Sequence, residues 1–214
     1  MAEINKAFVY GGFSEDTQFL AAFTNALCTG PDRLFDEAEA FTWAQVDADF
    51  DKLSLEARRR ALFPHSAGAM LVKHAALVAT LNGVEPTPIH KTIWHAKDVA
   101  SNHEIGREAH VTKSGILDAA VEVFRHPSTL KIPFLVRKFS TVQMLIDGGE
   151  KAFPGGRLYL PTRQDEFGFG GEEEVALAQA NGITAELLEG FHNQPLVHPI
   201  AAVRKIGQLL DRTN

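Results

Sequence analysis

Three residues suited to acyl transfer lie far apart in the chain: Ser66 in Pro64-His65-Ser66-Ala67-Gly68, Asp165 and His192. A serine hydroxyl is a weak nucleophile until a base takes its proton. An imidazole can do that near neutral pH, and a carboxylate can hold the imidazole in the correct tautomer. Each of the three follows a segment that reads as a strand. A fourth such place, Gly11-Gly12-Phe13-Ser14, is a backbone-rich turn. Four separate stretches are thus expected to bring nucleophile, base, acid and backbone donors to one sheet edge.

The elements that must position them follow from patterning. Ala7 to Tyr10 is a short apolar run ended by two glycines, which predicts a buried strand. Ser14 before Glu15 and Asp16 marks a helix start, and Phe19, Leu20, Phe23 and Leu27 give that helix one apolar face. Further strands are expected at 40–44, 61–63, 89–95, 157–160 and 183–188. Helices are expected over 53–60, then after Pro64-His65-Ser66-Ala67-Gly68 along Met70, Leu71, His74, Leu77, Val78 and Leu81, closed by Asn82-Gly83. Later ones fall near 116–124, 132–146, 171–181 and 199–210. Alternating strands and helices predict an α/β fold with a mostly parallel sheet of about six strands. In such sheets the site lies beyond the C-terminal strand ends. The helical stretch at about 101–153 interrupts the alternation and is expected as a lid over that edge, within a single domain 1–214.

Phe63-Pro64-His65-Ser66-Ala67-Gly68 resembles the nucleophile elbow of the α/β-hydrolases, G-x-S-x-G, with Pro64 in place of the first glycine. The order Ser66, Asp165, His192 is similar to that family's Ser, Asp/Glu, His order. Leu160 to Glu166 resembles its acid loop, with Glu166 as a rival acid. Gly190-Phe191-His192 resembles its histidine loop, with His198 as a rival base. The resemblance implies a minimal α/β-hydrolase fold lacking the first two strands. It also implies an oxyanion hole from the backbone N–H groups of Phe13 and Ala67. Gly12, His65, Phe134 and Met144 are the expected substrate-binding residues. His65 could instead touch a neighbouring strand, and the apolar lid residues could instead pack the lid onto the body. The implied activity is a serine hydrolase cleaving an ester, thioester or similar small acyl substrate. The alternative is a catalytically inactive hydrolase-fold binding or regulatory protein. Lyase or perhydrolase chemistry on the same residues stays open, since fold does not settle reaction type.

Composition removes other classes. The 214 residues are 45% hydrophobic and 22% charged, which suits a globular core. A net charge of −6 offers no basic face for nucleic acid beyond Arg58, Arg59 and Arg60, which read as a solvated helix end. One cysteine, Cys28, permits no internal disulfide. No signal peptide or bilayer-spanning run is legible, so a cytoplasmic location is expected. Gly11-Gly12 lacks the lysine and spacing of a phosphate loop, and Gly168 to Gly171 reads as a flexible connection. His95, His103 and His110 do not fit metal-ligand spacing and read as polar positions at the start of the lid. No metal or cofactor is expected. The expected partner is a small acyl substrate, with a homodimer left open.

Overall fold

A computed structural model of the chain describes residues 4–12, 15, 17–43, 45, 57–84, 89–114, 117, 121, 140–166 and 170–212. Its centre is a six-stranded parallel sheet of β1 (Lys6–Tyr10), β2 (Glu37–Phe41), β3 (Ala61–Ser66), β4 (Leu77–Gly83), β5 (Arg157–Leu160) and β6 (Thr184–Ala185). The spatial order is β2-β1-β3-β4-β5-β6. Among the described residues the helices are α1 (Thr17–Cys28), α2 (Ile89–Ser101), α3 (His103–Glu108), α4 (Thr141–Ala152), α5 (Glu172–Ala180), α6 (Gln194–Val197) and α7 (Pro199–Asp211).

Alternation along the strands sends side chains to two cores. Ala7, Val9, Phe63, Leu81, Leu158 and Leu160 face a layer built by α1, α6 and α7, through Leu20, Phe23, Leu27, Leu196, Val203 and Ile206. Phe8, Tyr10, Leu62, Val78 and Tyr159 face the other layer, which contains Val142, Leu145 and Ala152 of α4 and Val175 and Ala178 of α5. A sheet covered on both faces needs apolar residues at nearly every inner-strand position, which is why β1 and β4 are buried almost throughout. The edge strand β2 differs. Its Glu37 and Glu39 are exposed and both lie 3.6 Å from the Lys6 ammonium. Charges on an edge discourage pairing with another chain.

The segment from Ser66 to Ser101 corrects two expectations. The long helix after Ser66 is instead a five-residue 3-10 turn, Ala67–Leu71. The predicted turns beyond it are β4. Leu77, Val78 and Leu81 satisfy a helical template, yet Leu77, Ala79 and Leu81 enter one core while Val78 enters the other. That is period two. The strand expected at 89–95 is α2. Val99 is buried and Ala96 half-buried one turn apart, while Trp94, His95, Lys97 and Asp98 are exposed.

Smaller shifts fall at element ends. β2 starts earlier than expected, and β3 continues through Pro64 to Ser66. The last strand shrinks to two residues plus a bridge between Thr162 and Leu188. Most of the expected helices at 53–60, 116–124 and 132–146 lies outside the described residues. Residues 141–152, within the span expected as a lid, pack on the sheet as α4. No described helix is long and apolar enough to cross a membrane.

Candidate active site

Ser66 is the last residue of β3, where the register against β4 shifts between His65 and Ser66. Its backbone has φ 50 and ψ −127. A non-glycine residue there stores about 1–3 kcal/mol of strain, and such strain tends to collect at functional turns. Two glycines make the turn possible by close approach. A Cβ on Gly68 would lie 2.6 Å from the Tyr10 carbonyl oxygen. A Cβ on Gly12 would lie 2.6 Å from Ser66 Cβ and 3.1 Å from its Oγ. The turn after β1 therefore lies directly against the serine. Pro64 is tolerated inside the strand, in register with Tyr10. The five-residue turn that follows Ser66 is too short to supply much helix dipole there.

Asp165 and His192 come from the loops after β5 and β6. Those loops are laced together by Arg163 N–H to the Leu188 carbonyl at 2.8 Å and Gln164 N–H to the Gly190 carbonyl at 3.1 Å. His192 Nδ1 lies 2.6 Å from Asp165 Oδ2, and both side chains are almost fully buried. Burial alone would lower the His192 pKa. The charge and hydrogen bond of Asp165 outweigh it, helped by Glu166 and Glu15, and raise the imidazole above its ordinary value of 6.5.

The backbone of His192 is held on both sides. Its N–H donates to Glu166 Oε2 at 2.8 Å. Its carbonyl accepts from Asn82 Nδ2 at 2.5 Å and faces His65 Nε2 at 2.8 Å. Asn82 also accepts from Thr162 through N–H at 2.5 Å and the hydroxyl at 3.1 Å, so it ties the acid loop to the histidine loop. Burial pushes the Glu166 carboxyl above its ordinary range, against the opposing pull of His192.

The remaining expected site residues are placed as follows. Glu166, the rival acid, contacts the backbone of His192. His198, the rival base, is exposed at the N-cap of α7 and makes no capping bond. His65, expected to bind substrate, has 0% exposure and faces Glu15 Oε1 with Nδ1. Its contacts are with Glu15 and the His192 backbone. Ala67 is buried, and Met144 packs half-buried against the core on the α4 side. Phe13 and Phe134 lie outside the described residues. His95 and His103 are exposed, and His110 stacks edge-on against Phe19 at 5.3 Å. No metal-ligand cluster occurs among the described residues. A groove of about 450 Å³ near the histidine loop is lined by Glu108, His110, Phe191 and His198, with neither Ser66 nor Asp165 in its wall.

Glu15 and Asn82 were not anticipated as site residues. Glu15 reads as a helix-start acid and Asn82 as a helix end. The available signal was their position just beyond the C-terminal end of β1 and near that of β4.

No protein-family profile matches the sequence, and no curated protein matches it. Solved structures do. A bacterial membrane phospholipase A superposes with TM-score 0.61 at 12% identity, over 99% of this chain and 80% of that one. A hydrolase from Oleispira antarctica gives 0.55 at 9% identity, over 100% and 93%. A hyperthermophilic esterase from Pyrobaculum calidifontis gives 0.56 at 13% identity, over 98% and 75%. At such identities the likeness is one of fold.

Proposed function

We propose, on the premise that this chain has the α/β-hydrolase fold, that it is a serine hydrolase cleaving a small ester, thioester or related acyl compound through an acyl-enzyme on Ser66. Supporting this reading most is the buried 2.6 Å contact between Asp165 and His192, beyond the same sheet edge as the left-handed serine. Esters are the substrates of one structural neighbour, the Pyrobaculum esterase, and phospholipid esters those of another.

The roles follow from hydrogen-bonding capacity. Asp165 accepts from Nδ1–H of His192, which leaves Nε2 as a base. Nε2 takes the Ser66 proton as Oγ attacks the carbonyl carbon. The carbonyl π pair moves onto oxygen. The protonated imidazole then gives its proton to the leaving alkoxide or thiolate as that bond breaks. Water, deprotonated by the same imidazole, clears the acyl group. Backbone N–H groups of Phe13 and Ala67 serve as the oxyanion hole, each donor contributing about 3 kcal/mol in comparable enzymes. Residues 101–153 act as a lid only in part, since α4 belongs to the body.

Turnover of short p-nitrophenyl esters and acyl thioesters tests this. The wild type hydrolyses at least one class, and Ser66→Ala lowers kcat by about 10³-fold or more. Equal rates in wild type and Ser66→Ala would remove the serine from the chemistry. No turnover of any class would favour a binding protein on the same fold.

A further inference from the structure

Glu15 and His65 lie outside the three proposed residues, yet they reach the same histidine from its backbone side. His65 is fully buried, with Nδ1 against Glu15 Oε1 and Nε2 2.8 Å from the His192 carbonyl oxygen. Both partners are acceptors when Glu15 is ionised. A neutral imidazole carries a single N–H and would leave one contact without a proton. The arrangement closes when the pair holds one more. Placed on the ring, that proton lets Nδ1 donate to Glu15 and Nε2 donate to the His192 carbonyl. The pair is then an imidazolium and a carboxylate with no net charge.

Neutrality matters because of what surrounds Glu15. A Cβ on Gly12 would lie 2.8 Å from Glu15 Oε1 and 3.1 Å from Ser66 Oγ, so carboxylate and hydroxyl flank the same turn. An uncompensated carboxylate there would oppose negative charge growing on the substrate oxygen. Among the described residues, the other charged groups nearby are the His192 ring, its centroid 4.7 Å from that of His65, and beyond it Asp165 and Glu166.

We propose that Glu15 and His65 form a positioning dyad: a buried ion pair that fixes the His192 carbonyl and cancels the Glu15 charge beside Ser66. The dyad rests on the reading of Ser66 and His192 given above. Neither member touches the reacting atoms.

The direct test is ¹⁵N NMR of the histidine side chains in the resting protein near neutral pH. The His65 signals are assigned by their loss in His65→Gln or, should that variant not fold, by through-bond correlation in the wild type. Both His65 nitrogens are expected to carry protons, and a bare Nδ1 or Nε2 overturns the proposal. The kinetic counterpart compares Glu15→Gln, His65→Gln and the double variant. Each single change is expected to lower kcat roughly 10- to 100-fold with KM nearly constant, the double being no worse than the poorer single. Additive losses, or losses confined to KM, contradict a dyad. Failure of the underlying enzyme reading looks different: Ser66→Ala would retain turnover while the His65 signals stayed doubly protonated.

Discussion

His192 and Asp165 meet through Nδ1 and Oδ2 at 2.6 Å, with both side chains almost wholly shielded from water. Shielding raises the value of the contact, because an ion pair formed when His192 takes a proton is poorly screened there. Asp165→Asn keeps the shape but no longer favours the tautomer with Nδ1 protonated. The expected result is a fall in kcat of about 10⁴-fold, as in comparable triads, with the fold retained by circular dichroism. His192→Ala should abolish turnover, while His198→Ala, at an exposed cap, should leave most of it.

The raised His192 pKa sets the pH dependence. As a base the imidazole works only when neutral. The rate should therefore rise with pH through a midpoint above 6.5, the ordinary value. The linked stability runs the other way. A histidine whose pKa is higher folded than unfolded adds stability that is fully present below the unfolded value and is lost as pH rises through the folded one. In Asp165→Asn both midpoints should move down. A pH–rate profile and urea unfolding at several pH values check this.

Glu166 offers a contrast between charge and hydrogen bond. Its carboxyl is pushed up by burial, and one oxygen accepts from the His192 N–H. Glu166→Gln keeps an acceptor and removes the cost of burying a charge, so stability near neutral pH should hold or rise. Glu166→Ala strands a buried N–H and should cost about 1–3 kcal/mol. Chemical denaturation of the two variants at one pH separates the effects.

Asn82 bridges Thr162 and His192, and its own φ is 45. Asn82→Ala strands the buried Thr162 N–H, leaves the His192 carbonyl with His65 alone, and keeps the left-handed strain. A loss of about 2–3 kcal/mol in urea unfolding is expected, with a lower kcat.

The elbow itself can be probed by single methyl groups. Gly68→Ala would drive a Cβ to 2.6 Å from the Tyr10 carbonyl oxygen, within backbone that has little room to move. Destabilisation by more than about 1 kcal/mol is expected. Ser66→Gly removes the penalty of φ 50 and should raise Tm while abolishing turnover.

Much of this architecture was legible in the sequence where apolar runs are short and bounded by turn residues. β1, β5, α1, α5 and α7 fall at or within a few residues of where patterning puts them. The segment after Ser66 was misread because apolar residues at 77, 78 and 81 fit both periods, and only packing on two sheet faces separates them. The pairing of Asp165 with His192 follows from their places after successive strands. The roles of Glu15, His65 and Asn82 could not be read, because their partners lie 50, 127 and 110 positions away and no local pattern encodes such contacts.

The most direct measurement is to map the adduct formed with a fluorophosphonate. Peptide mass analysis should find one phosphonyl group, on Ser66, and labelling should persist in Cys28→Ala and slow sharply in His192→Ala. Phosphonylation elsewhere, or none in protein with a sharp unfolding transition, would contradict a nucleophilic Ser66.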